Sequence, residues 1–359
     1  MEIPFTKYTT YGNNFIIVNE TEKDIIPEPD LAACAVQITS RCFGVGADSL
    51  IVIQKYNKNV LQNINKDKKY WKTIPDSLSA GYIFRMFEPN GNEALNCGNG
   101  LLALADYFFS NKNMAEVKIV TEIPSSSPCV RTIGTDINEN RHWVNIGKHK
   151  RVRERLTIQK IRKPVTDCID RIDNIRIDFC HDNFQFLTLS AITLTGYLIS
   201  TGEPHLVIFT DTMFSDPSKG DLLFKKKEPD SNIDIGLWFV NYIGSYLNKK
   251  YANFFPKGIN VNFIKIVDAQ KGLIKHRCFE RGINKETMAC GTGAVAVAAL
   301  ALNLNMISCS KITLLPHRCC LRNPDAKILI KKENGNYFLY GYPSFLCKGE
   351  FIFKTYMNN

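Results

Sequence analysis

Two cysteines occupy near-identical settings in the two halves of the chain. Cys97 lies in "ALNCGNGLLALADYF" (Ala94 to Phe108) and Cys290 in "TMACGTGAVAVAAL" (Thr287 to Leu300). Each stretch reads Cys-Gly-x-Gly and then runs into small and apolar residues, the pattern of a tight turn entering a buried helix. The first turn of a helix leaves backbone N–H groups unpaired and carries partial positive charge. Glycines beside the cysteine allow another group to approach those N–H groups. Such a place binds a carboxylate and favours the reactive thiolate of a nearby cysteine. If two halves faced each other, two thiols would flank one small anion. That arrangement suits inversion of an α-carbon: one thiolate removes the Cα proton and the opposite thiol returns a proton to the other face. The gripped carboxylate would hold the charge that develops. No cofactor and no resident metal are expected.

The positioning elements appear twice as well. "FRMFEPNGNEALNCGNG" (Phe84 to Gly100) and "HRCFERGINKETMACGTG" (His276 to Gly293) share Arg-x-Phe-Glu, a turn, and Glu-x-x-x-Cys-Gly-x-Gly. The offset is 192 from Glu88 to Glu280 and 193 from Cys97 to Cys290. "GNNFIIV" at Gly12 and "GEPHLVI" at Gly202 form a third pair at offset 190, each a turn feeding an apolar strand. Three matched pairs at nearly one offset indicate duplication. Residues 1–150 are read as a first half carrying Cys97 and 165–359 as a second carrying Cys290, with a charged connector over 151–164. Residues 55–76 look like a polar insertion in the first half. Strand-like runs such as "SLIVIQ", "YIFRMF", "HLVIFT" and "VNFIKI" surround the two apolar helices. The fold class expected is α/β (α+β), with two pseudo-symmetric halves, each a strand barrel wrapped around a central helix.

Composition narrows the function classes. The chain has 359 residues, 45% of them hydrophobic and 22% charged, the balance of a globular protein with a substantial core. No run approaches the roughly 18 apolar residues of a membrane span. The start, "MEIPFTKYTTYGNNF", shows no basic region followed by an apolar one, so a cytoplasmic location is expected. The twelve cysteines are irregularly spaced with no CxxC, and the nearest neighbours are Cys319 and Cys320. This spacing argues against zinc, iron–sulfur and thioredoxin motifs. The formal charge of +10 comes largely from "KHKRVRER" at Lys148, "KDKK" at Lys66 and "KKK" at Lys225. These clusters lack interleaved aromatics and any recognised nucleic-acid motif, so they read as solvated surface. The expected partner is a small amino-acid substrate, with neither nucleic acid nor membrane involved.

Taken with "YGNNF", "GVGADSL", "GEPH" and "GINVNF", the motifs resemble those of the diaminopimelate epimerase family from Phe5 to about Ala298. The resemblance implies two pseudo-symmetric halves with the active site between them, and often a homodimer. It also implies cofactor-independent interconversion of LL- and meso-diaminopimelate, serving lysine or peptidoglycan synthesis or both. Cys97 and Cys290 would be the acid/base thiols, and Gly98, Asn99, Gly291 and Thr292 would offer N–H groups to the reacting carboxylate. Asn13, His205 and Glu280 match positions near the reacting centre, and Asn260 and Arg281 match positions holding the far end of the substrate. Taken singly, Asn13 reads as a turn residue, His205 as a core histidine and Glu280–Arg281 as a surface pair. Three positions depart from the family: Ser49 stands where Gln is usual, and Glu88 and Glu203 where Asn is usual. A carboxylate in place of an amide adds negative charge and removes two donors. The alternatives are another cofactor-independent amino-acid racemase of this fold and a non-catalytic amino-acid-binding paralogue.

Overall fold

Both Cys-Gly-x-Gly stretches start helices, and in each case a repeated series of strands surrounds the helix. The computed structural model describes residues 1–75, 78–153, 156, 162–179, 190–225 and 234–354. The chain divides into two units, Met1–Asn145 with Tyr340–Asn359, and Ile146–Leu339.

The first unit contains β1 (Glu2–Thr10), β2 (Asn13–Glu20), α1 (Leu31–Thr39), β3 (Ser49–Lys55), α2 (Lys58–Lys68), β4 (Tyr82–Phe87), β5 (Glu93–Ala94), α3 (Gly98–Lys112), β6 (Glu116–Thr121), β7 (Cys129–Asp136) and β8 (Arg141–Gly147), whose last two residues belong to the second unit. β1 and β2 are antiparallel, β2 and β3 parallel, β3 and β4 antiparallel, β4 and β6 parallel, and β6 and β7 antiparallel. β5 folds back antiparallel on β4.

The second unit contains β9 (Lys163–Thr166), β10 (Ile169–Asp178), β11 (Ala191–Ser200), β12 (Pro204–Phe209), α4 (Ile235–Lys250), β13 (Asn260–Asp268), β14 (Leu273–Glu280), β15 (Lys285–Glu286), α5 (Gly291–Asn303), β16 (Lys311–Pro316), β17 (Ile328–Glu333) and β18 (Asn336–Gly341), whose last two residues belong to the first unit. Its pairings repeat the series: β11–β12 antiparallel, β12–β13 parallel, β13–β14 antiparallel, β14–β16 parallel, β16–β17 antiparallel, with β15 folded back on β14. The duplication read from three short motifs therefore extends to strand order and direction.

The two apolar helices sit where that pattern places them. Gly98 to Ala105 of α3 are all buried, and so are Gly291 to Ala301 of α5. α3 packs on β1, β2, β6 and β7, and α5 on β11, β12, β13 and β17. A helix covered on every side needs no polar face, which explains its composition. Two of the strands in parallel pairs, β3 and β12, are covered on both faces. β3 is buried from Ser49 to Gln54 and β12 along its full length. In the first unit, α1 covers the outside with Leu31, Cys34, Ala35 and Ile38 at helical spacing. In the second, α4 covers it with Phe239, Val240, Ile243 and Leu247.

The C-terminal boundary differs from the linear division into halves. A last strand, β19 (Pro343–Ile352), pairs antiparallel with β1 from Glu2↔Ile352 to Thr10↔Pro343, with a register shift at Lys7/Tyr8, and so belongs to the first unit. It lies beside β1 as β10 lies beside β11. Half of the expected 151–164 connector falls outside the described residues, as does part of the lysine cluster from Lys225.

The insertion is not merely polar. Asn57 caps α2 by accepting from Val60 N at 2.9 Å, and Leu61, Ile64 and Trp71 pack with Ile83, Val120 and Ile123. Its Tyr70 donates to Glu93 at 3.0 Å.

That contact joins a buried ion pair present in both units. Arg85 is 1% exposed; its Nε and Nη2 donate to the two oxygens of Glu93 at 2.7 Å each, and Glu28 takes its other side at 2.5 and 2.8 Å. Burial alone would discourage this charge, but Glu93 and Glu28 outweigh it and hold the guanidinium protonated. Arg277, 2% exposed, donates likewise to Glu286 at 2.6 and 2.7 Å. Its Nη1 donates to the Leu223 carbonyl and lies so close to Gly236 that a Cβ there would come within 2.1 Å. Each carboxylate stands four residues before a cysteine. Removing one partner leaves a buried charge uncompensated, at about 3–5 kcal/mol. Glu286→Gln is expected to lose about that much in urea unfolding and Glu93→Gln less, since Glu28 still pairs with Arg85, whereas Arg176→Gln, from the exposed Arg176–Asp178 pair, should lose under about 1 kcal/mol. Losses near the surface value at both buried sites would mean that solvent reaches the guanidinium groups.

Candidate active site

Each cysteine is the N-cap residue of its helix. Cys97, half-buried, precedes α3 with φ −148° and ψ 114°, and Cys290, buried, precedes α5 with φ −118° and ψ 112°. Both have the extended backbone of an N-cap residue. At Cys290 the contact is direct: Gly293 N–H donates to Sγ at 3.3 Å, and Thr292 Oγ1 lies 3.6 Å from the same sulfur. Gly293 is required here for space, since a Cβ would meet Asn262 Oδ1 at 2.4 Å.

In the first unit, Asn99 in the first turn of α3 donates to Asn13 Oδ1 at 2.7 Å, joining the start of β2 to the helix that follows Cys97. Gly98 and Asn99 are buried at the helix start. Ser49 is 7% exposed and its hydroxyl donates to the Asp48 carbonyl at 2.7 Å. Glu88 is half-buried just after β4, where its backbone forms a turn with Asn92 and Gly91. Asn96, 9% exposed and adjacent to Cys97, has both amide atoms without a hydrogen-bond partner among the described residues. A buried amide in that state is suited to a polar ligand. Sequence reading did not single it out, because an asparagine before a cysteine carries no pattern.

In the second unit, Gly291 and Thr292 open α5, and Thr201 Oγ1 donates to the Thr292 carbonyl at 2.8 Å. Glu280 accepts from Thr287 Oγ1 at 2.5 Å. Its carboxylate, Cys290 Sγ and the thiol of Cys278 lie within 4.8 Å of one another. Burial, with Cys290 beside it, pushes the Cys278 thiol well above the usual range. Asn260 Oδ1 accepts from Arg281 N at 3.0 Å, and Arg281 Nη2 donates to Glu203 at 2.5 Å. Arg281 also donates to the carbonyls of Lys257 and Gly258, at 2.9 and 3.3 Å. Glu203 thus pairs with the arginine expected to hold the far end of a substrate.

His205 is completely buried. Asn262 Nδ2 donates to its Nδ1 at 3.1 Å, while Asn262 Oδ1 accepts from His276 Nε2 at 3.0 Å. The amide orientation fixes both tautomers: His205 carries its proton on Nε2, which has no hydrogen-bond partner among the described residues. Burial, reinforced by His276 and Arg281, pushes the His205 pKa down to about 3, and burial does the same to His276. Asn262 and His276 were missed by sequence reading; both lie on strands as ordinary-looking core positions.

A sequence model of the family described as Diaminopimelate epimerase matches residues 248–335. The diaminopimelate epimerase of Bacillus subtilis (strain 168) is 27% identical over 348 residues, covering 97% of this chain and 98% of that one. That of Methanocella arvoryzae is 29% identical over 300 residues, 84% of this chain and 82% of the relative. Among solved structures, a hydroxyproline epimerase from Agrobacterium vitis shares the fold with a TM-score of 0.56, covering 98% of this chain and 92% of that one at 8% identity. Fold and relatives together define an isomerase of the amino-acid epimerase and racemase class. The chain is similar to diaminopimelate epimerases along nearly its whole length, and the family model matches its C-terminal Cys-Gly-x-Gly region.

The buried histidines generate a pH prediction. Their folded pKa values lie below the unfolded value near 6.5, so their stabilising contribution is present above that pH and is lost as pH falls toward about 3. The loss should approach about 1.4 kcal/mol per pH unit for each histidine, measured as urea midpoints between pH 7.5 and 4.5. Long-range ¹⁵N–¹H correlation should show His205 neutral with Nε2–H at pH 7 and unchanged at pH 5. An imidazolium pattern at pH 5 would contradict the buried network.

Proposed function

We propose that the chain is a diaminopimelate epimerase working by thiolate–thiol proton transfer between LL- and meso-diaminopimelate. The supporting observation is the repeated one: each unit places a cysteine as N-cap of a glycine-led, buried helix. In this reading one cysteine, as thiolate, takes the Cα proton, and the other, as thiol, supplies a proton to the opposite face. Reversal of direction exchanges their roles, so the enzyme ends each turnover with one proton on the pair. Backbone N–H groups of Gly98, Asn99, Gly291 and Thr292 bind the α-carboxylate and stabilise the charge that moves onto it. Glu280 and the Nε2–H of His205 serve the second-unit thiol, and Asn13 and Asn99 act as a linked pair at the first. Asn260 and Arg281 bind the distal end of the substrate.

Cys97→Ala and Cys290→Ala should each reduce epimerisation by at least about 100-fold without unfolding the protein. In D₂O, each single variant should exchange the Cα proton of only one epimer, and the two variants should prefer opposite epimers. Full turnover by either would sink the two-thiol mechanism.

The Glu203–Arg281 pair bears on substrate choice. Glu203→Asn releases a partly exposed ion pair worth about 0.5–1 kcal/mol, freeing the guanidinium for a distal carboxylate. KM for diaminopimelate should fall roughly two- to fivefold with kcat little changed. An unchanged or higher KM would point to a substrate with a cation, or no charge, at that end, the mark of a different amino-acid racemase.

A further inference from the structure

Cys278 has no part in the mechanism above, yet it lies beside Cys290. Alternation along β14 puts His276, Cys278 and Glu280 on one face of the strand and Arg277 and Phe279 on the other. The chain then turns through β15, and Thr287 N–H donates to the Cys278 carbonyl at 3.1 Å. That bond lays the returning segment against the strand and brings Cys290 back over Cys278. The result is two sulfurs and a carboxylate oxygen from Glu280 within 4.8 Å, the two thiols only 3% and 6% exposed. The first unit has no counterpart, because Met86 stands where Cys278 does in the shared Arg-x-Phe-Glu motif.

We propose that Cys278, Cys290 and Glu280 form a binding site for a soft divalent cation of the zinc class. Two thiolates and one carboxylate form a donor set typical of zinc, whereas magnesium and calcium require oxygen ligands throughout. Zn–S bonds of about 2.3 Å in tetrahedral geometry place two sulfurs about 3.8 Å apart. A cluster with a 4.8 Å spread closes on the ion with side-chain adjustments of about 1 Å. Binding exchanges protons for metal: the cation takes two thiolates and the carboxylate, and two thiol protons pass to solvent. A fourth position stays open to water or an anion. The site itself does not depend on the epimerase reading. Its consequence does, since a cation bonded to Cys290 removes the lone pair that would accept the Cα proton.

Sequence spacing concealed the site. Cys278 and Cys290 are twelve residues apart with the carboxylate two residues after the first, a spacing that matches no metal motif.

The test uses the reduced full-length protein with Co²⁺ as spectroscopic probe and Zn²⁺ as competitor. One equivalent of Co²⁺ should give tetrahedral d–d bands and thiolate-to-cobalt charge transfer, both abolished by Zn²⁺. Cys278→Val, similar in volume and without a ligand atom, should weaken Co²⁺ binding at least about tenfold and keep turnover. Cys290→Ala should lose the spectrum as well, and Cys97→Ala should retain it. Zn²⁺ should inhibit the unmodified enzyme at concentrations at least about tenfold lower than it inhibits Cys278→Val. The proposal is overturned by the absence of a tetrahedral spectrum, by its survival in Cys278→Val, or by its loss in Cys97→Ala. A spectrum with no effect on turnover upholds the site and instead removes Cys290 from the proton-transfer chemistry.

Discussion

In each unit a guanidinium cut off from water is held by a carboxylate four residues ahead of a cysteine, and the position of that cysteine depends on this pair. A charge in a dry interior is tolerated only when its partner is close and its donors are filled. Arg85 fills them with Glu93 and Glu28, and Arg277 with Glu286 and the Leu223 carbonyl. The carboxylate has one place to stand, so the short β5 and β15 strands that carry it have one register on β4 and β14. The cysteine follows as the next element of chain that is not yet fixed, and the helix begins there. A salt bridge of this kind contributes less to net stability than to the choice of one backbone path, because competing paths strand a charge.

The two units solve the same problem with different surroundings. In the first, Tyr70 of the 55–76 insertion donates to Glu93, so the inserted segment leans on the residue that positions the Cys97 loop. In the second, Gly236 at the start of α4 leaves the space that Arg277 occupies. The insertion is therefore tied to the central loop through a polar contact as well as apolar packing, and so is α4, whose Asn241 Oδ1 accepts from Glu286 N at 2.6 Å. The second unit also carries the buried run His205–Asn262–His276, in which a single amide sets the tautomers of two rings.

Much of this was legible in the chain, and the limits have physical causes. The helices after Cys97 and Cys290 were readable because a helix buried all round has to be apolar all round. The duplication was readable because turns and glycines repeat at fixed offsets. The Arg–Glu pairs lay in plain view as repeated letters, but their partnership is set by strands folding back, which spacing alone does not reveal. The place of Cys278 was hidden for the same reason. Its role depends on which residue the loop lays against it. The placement of His205 could have been weighed either way, and burial with a fixed proton on Nε2 combines both readings. The C-terminal strand escaped assignment to the first unit because β19 is mostly exposed and shows no alternation that would point to a partner.

The pairing of β19 with β1 sets an order on how the protein is made. Residues 146–339 form a continuous stretch, so a ribosome delivers everything the second unit needs in one pass. The first unit, begun earlier, receives its last strand only after all of the second has been synthesised. Until then β1 is hydrogen-bonded by β2 on one side alone and offers a bare strand edge on the other. The part of the molecule that starts first is therefore finished last. During that interval its open edge is the stretch a chaperone would need to shield, or a neighbouring nascent chain would be free to pair with.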